Sequence, residues 1–242
     1  MSTPLKLDIL LETEEIVAVN KPSGLLTLPD RFDALQNSLR GLLQEHYGAA
    51  YTIHRLDKDT SGLIIFGLTA EAQRHYTELF EERKVEKTYL GLVHGRMPAA
   101  SGTLDQPLGE HPHIKGRMAV VRKGKHAVTH YAVVESVGRY SLLSFRIETG
   151  RTHQIRVHMQ HAGHPIVCDP IYGSGDPILL SSVKRNFNLS RADESERPLL
   201  NRLALHASQL KLTDMKGLPL TLEAPLPKDL QACLRQLRKW TQ

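Results

Sequence analysis

Asp57 ends the run His54-Arg55-Leu56-Asp57, where an apolar stretch gives way to charge. An ionised carboxylate placed at a strand end can stabilise positive charge on carbon, bond to that carbon, or remove a proton. A neighbouring guanidinium favours its charged form, and Arg55 stands two residues away, while Arg151 and Arg156 open a second candidate segment later in the chain. If the fold joins these groups, an Asp–Arg ion pair in a partly buried cleft is a possible reactive centre. An ordinary interstrand ion pair is the architectural alternative, and residue types alone leave both open.

Other chemistries lose their support on inspection. Asp57, Asp59, Ser61 and Gly62 match the first half of a calcium-binding EF-hand loop, but Leu68 stands where the closing glutamate belongs. His158, His161 and His164 suggest a metal, yet successive steps of three splay side chains around a helix and no HExxH occurs. We therefore expect no metal. GxSxG, GxxxxGK[ST] and GxGxxG are absent too, which removes the simplest case for a serine hydrolase, a P-loop or a dinucleotide site.

The elements that must position Asp57 read as strands on either side of it, Tyr51–Ile53 before and Leu63–Leu68 after. Upstream, LDILLETEEIVAVNKPSG reads as two strands and a turn. Leu35, Leu39, Leu42 and Leu43 then mark a helix ended by Gly48. Thr69 caps a helix whose stripe is Ala72, Tyr76, Leu79 and Phe80, followed by the strand EKTYLGLVHG. HAVTHYAVVESV and RYSLLSFRIETG form an antiparallel pair turning at Gly138. A helix from about Thr152 is expected to bury Ile155, Met159 and Ala162, with Gly163 as its terminator. The segment 173–197 is a polar loop or insertion. Strands near 203–212 and 218–224 precede a closing helix from about Pro227. Without repeats or a linker, residues 1–242 are expected to form one α+β domain on a large mixed or antiparallel sheet flanked by helices and loops.

The sequence has 242 residues, 40% of them hydrophobic and 24% charged, a composition that argues for a folded chain rather than disorder. No apolar run approaches the roughly 18 residues of a membrane span, and the first ten residues lack signal-peptide features. Cys168 and Cys233 have no CxxC spacing, which suits a reducing compartment and a cytoplasmic protein. The net charge of +5 fits a polyanionic partner. Its basic residues cluster in HIKGRMAVVRKGKHA, where Arg117, Arg122, Lys123 and Lys125 are candidates for phosphate contacts, with a solvated loop as the alternative.

Five segments, NKPSGLLTLPDR, HRLDKDTSGLIIF, KTYLGLVHG, TGRTHQIRVHMQHAGHPIVCDPIYG and RLALHA, resemble the RluA-type pseudouridine synthases in the same order and over nearly the whole chain. The resemblance implies a cofactor-independent enzyme of the pseudouridine synthase fold that detaches a uracil base in RNA, turns it and rejoins it through C5. By position in these motifs, Asp57 matches the essential aspartate, Tyr89 the active-site tyrosine and Arg156 the basic partner. It further implies that Arg55 enters the RNA stack in place of the flipped base, and that His54, Arg151, His153 and Gln154 lie near the RNA. For Arg151, His153 and Gln154 a scaffold role stays open.

Many members of that family begin with a small RNA-binding domain, whereas here the motifs start within the first twenty residues, so a short member is expected. Its partner would be RNA, with a transfer RNA anticodon arm, a ribosomal hairpin or both as target, and the protein a monomer. The competing reading is a catalytically silent RNA-binding or ribosome-assembly protein on the same fold.

Overall fold

A computed structural model of the protein describes residues 7–29, 37–188 and 195–241. In chain order it has strands β1 (Ile9–Glu12) and β2 (Ile16–Lys21), helix α1 (Leu39–Tyr47), strands β3 (Tyr51–Thr52) and β4 (Ser61–Gly67), and helix α2 (Ala70–Glu81). Strands β5 (Glu86–His94), β6 (Ser101–Leu104), β7 (Leu108–Glu110), β8 (Met118–Val120), β9 (Thr129–Val137) and β10 (Tyr140–Ile147) follow. Helix α3 (Gln154–His161), strands β11 (Leu205–Thr213) and β12 (Pro219–Glu223), and helix α4 (Lys228–Trp240) come last. The fold class is α+β on a mixed sheet. Two compact units share these elements: Met1–Thr88 with His206–Pro225, and Tyr89–Leu205 with Leu226–Gln242.

In the first unit the strand order is β1-β2-β4-β11, with β3 also on β4 and β12 on β11. Of these strand pairs β4–β11 is parallel and the others are antiparallel. All seven residues of β4 are buried, which explains why SGLIIFG shows a continuous apolar run instead of alternation. Helix α2 starts where Thr69 accepts a hydrogen bond from the Ala72 amide at 3.1 Å, and it buries Ala72, Tyr76 and Leu79 on the expected stripe. Helix α1 is capped in the same manner by Ser38 and ends at Gly48 in the left-handed region. The expected start of that helix at Leu35 lies outside the described residues.

In the second unit β5-β10-β9-β6 form the sheet and β7–β8 a separate hairpin. The β9–β10 hairpin turns at Gly138, whose φ of +60° lies in the region that L side chains adopt reluctantly. The three short strands β6, β7 and β8 have no counterpart among the expected elements, because three or four residues are too few to show alternation. Helix α4 buries Leu230, Cys233, Leu234 and Leu237, a stripe at i, i+3, i+4 and i+7 that closes over the core with Leu143, Phe145 and Met159.

Helix α3 departs from expectation in three ways. It begins at Gln154, after His153 in a left-handed conformation (φ +55°), and Ala162 at its end is only half-buried. More consequentially, every residue from Gln154 to Met159 is buried, polar ones included, because α3 packs against both β8 and β9. The described part of the segment 173–197 has an Ile178–Leu200 bridge, a 3-10 turn at Leu180–Ser182, and a hydrogen bond from the Ser181 amide to Glu196 Oε1 at 2.8 Å. No helix among the described residues is long and apolar enough to cross a membrane.

Candidate active site

The turn that carries Asp57 is fastened from beneath by residues of the NKPSGLLT segment. The Thr27 hydroxyl donates to the Leu56 carbonyl at 2.8 Å and accepts from the Leu56 amide at 3.3 Å. The Lys58 carbonyl accepts from the Gly24 amide and from Lys21 Nζ, both at 2.9 Å. Lys21 is fully buried, and its ammonium also donates to the carbonyls of Pro22 and Leu25 at 3.0 and 2.9 Å. A charge out of water is tolerated because oxygens replace its hydration. Ser23 Oγ donates to the Asp59 carbonyl at 2.7 Å, and the Thr60 amide donates to the Asp57 carbonyl at 3.2 Å. On this fixed turn Leu56 points into the protein, Asp57 is half-buried and Arg55 is exposed.

The turn's exit into β4 is equally constrained. Gly62 has φ +115°, and a Cβ there would lie 2.2 Å from the Ala207 carbonyl oxygen, so the close approach of β11 excludes any other residue. His206 of the RLALHA motif pairs with Ser61 Oγ at 3.0 Å and with the Ala224 carbonyl at 3.2 Å, tying β4, β11 and the residue after β12 together. His54 is stacked on Phe80 at 4.4 Å, and its Nε2 accepts from the Ile65 amide at 3.1 Å. Burial, helped by the Lys87 charge, pushes its pKa down to about 3. His54 is therefore a neutral acceptor that positions the strand before Arg55.

Tyr89 and Arg156 belong to the second unit. Tyr89 is half-buried on β5 and packs against that unit's core. Arg156 is 2% exposed, and its Nε and Nη2 form a fork with Asp169 Oδ2 and Oδ1 at 2.7 and 2.8 Å. Asp169 Oδ1 also accepts from the Ile171 and Tyr172 amides at 2.9 and 3.0 Å. Burial alone would raise the Asp169 carboxyl, but Arg156 and the two amides outweigh it and hold it below the usual range. The Arg156 guanidinium lies over the Tyr172 ring, 5.1 Å from its centroid, and Arg117 approaches the same ring at 5.3 Å. Tyr172 Oη accepts from the Met118 amide at 3.0 Å and pairs with His153 Nδ1 at 2.8 Å. One tyrosine thus joins α3, its preceding residue and the β7–β8 hairpin.

The remaining expected contacts divide. Gln154 is buried and gives both amide protons to the protein, to the Val128 carbonyl and Thr129 Oγ1, while its oxygen accepts from Thr149 Oγ1 and the Arg151 amide. That is a scaffold role. Arg151 donates to the His126 carbonyl at 3.1 Å and lines, with Lys123, Lys125 and Glu110, an open groove of about 530 Å³. Arg122, Lys123 and Lys125 are exposed, whereas Arg117 is half-buried against Tyr172. His158 bonds to Thr129 Oγ1 and the Gln106 carbonyl, and His164 to the His94 carbonyl. Sequence reasoning missed Lys21, Thr27, Asp169 and Tyr172 as positioning residues. The first pair lies in NKPSGLLT and the second in CDPIYG, so membership in those motifs was the available signal.

The family profile described as RNA pseudouridylate synthase matches residues 15–161, a span that contains Asp57, Tyr89 and Arg156. The chain belongs to this family, whose members isomerise uridine in RNA to pseudouridine. A ribosomal large subunit pseudouridine synthase D from Nitrosomonas europaea is 41% identical over 243 residues, covering 97% of this chain and 66% of that protein. The protein of the same name from Escherichia coli K12 is 38% identical over 242 residues, covering 97% of this chain and 71% of its own length. The chain thus spans about two thirds of these relatives. Among solved structures, human RNA pseudouridylate synthase domain containing 1 superposes with a TM-score of 0.72 at 27% identity, over 96% of this chain and 90% of that one.

Proposed function

We propose that this chain isomerises a uridine in a structured RNA loop, with Asp57 as the essential carboxylate and Tyr89 and Arg156 as its active-site partners. One observation carries the reading: in a chain of this family, the half-buried Asp57 is presented on a turn whose backbone is fixed by the buried Lys21 and Thr27. Breaking the C1′–N1 bond builds oxocarbenium-like charge at C1′, which an ionised carboxylate stabilises, whether it bonds to C1′ or removes the C2′ proton to give a glycal. The detached uracil turns, C5 bonds to C1′, and the C5 proton moves to a base. Tyr89 stacks on uracil or takes that proton, and Arg156 is the basic partner of the site. Arg55, exposed and planar, fills the space left in the RNA stack. The balance is that of an isomerisation and calls for no cofactor.

The relatives' names favour a large-subunit ribosomal RNA hairpin as target, with a transfer RNA anticodon arm as the second substrate to test. Loops cost less to unstack than continuous helices. The protein acts on this RNA in the cytoplasm, as a monomer. The test is Asp57→Asn, nearly isosteric and uncharged, together with pseudouridine mapping of total RNA from cells with and without the protein. Expected are loss of pseudouridine at a loop site, no turnover by the variant, and near-normal RNA binding. An unchanged map with inactivity on hairpins supports the silent RNA-binding reading instead.

A further inference from the structure

A second basic surface forms at the opposite end of the second unit's sheet from Tyr89. At the exit of β5 the Gly95 amide donates to the Arg139 carbonyl at 2.8 Å, and Arg96 Nε donates to the Gly138 carbonyl at 3.3 Å. The end of α4 lies on the same turn, since a Cβ on Gly138 would sit 2.8 Å from Thr241 Cγ2. Next to it, Lys239 Nζ and Lys184 Nζ lie 4.7 and 5.0 Å from the centroid of the Trp240 ring. Four segments distant in sequence therefore deliver Arg96, Arg139, Lys184 and Lys239 to one place. Arg96, Arg139 and Lys239 are exposed, and Lys184 is half-buried.

Opposite charge is sparse there. Glu135 pairs with Arg238 through both guanidinium N–H groups of its fork, so that pair cancels, and the four other cations have no carboxylate within ion-pair distance among the described residues. A merely solvated face interleaves both signs, because converging like charges repel. Here aromatic rings hold the cations in place: Trp240 beside two lysines, and Tyr140 beneath Arg139 at 5.3 Å. Fixing them beforehand lowers the entropy cost of meeting a polyanion.

The position is measured along β5. From Tyr89 to His94, the last residue of β5, the chain takes five steps, about 16 Å at the ~3.3 Å rise of a strand, and Arg96 lies just beyond. The turn after α3 lies at this exit too, where His164 Nδ1 meets the His94 carbonyl at 2.9 Å. We propose that Arg96, Arg139, Lys184 and Lys239 form a remote RNA-backbone contact that grips the stem or strand flanking the target loop. It rests on the pseudouridine synthase reading, and it adds affinity without taking part in the chemistry. A phosphate backbone fits because it repeats a negative charge along its length and needs no base-specific donor.

The experiment compares two RNAs carrying the same target loop, one on a minimal stem and one on a stem extended by about 16 base pairs, the length a shape-reading RNA domain spans. The variant Arg96→Gln/Arg139→Gln/Lys184→Gln/Lys239→Gln keeps side-chain length and removes charge. For the long RNA, affinity at low salt should fall about tenfold or more, and the slope of log K against log salt should flatten by about 3. Affinity and kcat on the short RNA should not change. A second variant, Glu135→Gln, releases Arg238 and should tighten binding of the long RNA alone. Unchanged long-RNA binding in both variants, or equal weakening on the short RNA, overturns the remote contact. Wild-type protein that converts neither RNA overturns the catalytic reading itself, and the two failures are distinct.

Discussion

Arg156 shows how much a single buried fork can control. Its guanidinium is out of water, so the Asp169 carboxylate and the Tyr172 ring replace the lost hydration. Asp169→Asn leaves the shape and removes the charge. We expect it to cost about 3 kcal/mol in urea unfolding, and to lower kcat in the folded fraction more than it raises KM. Asp169→Glu should restore part of kcat. His54 gives a pH test. Its pKa is about 3 in the folded protein, so below its ordinary value near 6.5 the unfolded chain binds the proton more readily. The contribution is complete above about pH 6.5 and is lost as pH falls toward 3, at about 1.4 kcal/mol per pH unit. Between pH 7 and pH 5, His54→Gln should therefore lose about 2 kcal/mol less stability than wild type, and equal losses would show that His54 is not held neutral.

At the scale of elements, the turn before β4 depends on backbone approach that only glycine permits. Gly62→Ala combines a positive φ with a Cβ 2.2 Å from a backbone oxygen. Strand separation is the only relief, and we expect a loss of about 3 kcal/mol or more in thermal or urea unfolding. The β7–β8 hairpin and the loop after it carry Arg117, Arg122, Lys123 and Lys125. Charge reversal at all four should weaken RNA binding and flatten its salt slope by about 3. An unchanged slope would mark a solvated loop. The Arg117 change should also disturb Tyr172 and hence kcat, whereas the other three should not.

For the whole molecule, the division of the chain has a consequence for truncation. Each unit is assembled from two stretches of chain, so neither is a contiguous cassette. Removing Leu226–Gln242 takes away Leu230, Cys233, Leu234 and Leu237 from the second unit's core. Each such side chain contributes about 1.5–3 kcal/mol by burial, which together approaches the whole stability of an ordinary domain. The truncated protein should bind hydrophobic dyes and sediment as aggregates, while a monomeric, cooperatively unfolding product would contradict this assignment of the core.

Sequence alone determined the elements whose signals are local. The Thr69 cap, the α2 stripe, the Gly138 turn and the uninterrupted β4 run all follow from residues a few positions apart, and the motif order that pointed to the pseudouridine synthases is likewise a property of the sequence. The polar half of α3 was illegible for the converse reason. The spacing marks only the apolar stripe of Ile155 and Met159, and packing against β8 and β9 turned Gln154, Arg156 and His158 inward as well, to partners far along the chain. Nothing local to Lys21 shows that its ammonium reaches the carbonyl of Lys58. Periodicity records how a segment faces water, whereas a buried charge is stabilised by groups that only the folded chain brings within hydrogen-bonding distance.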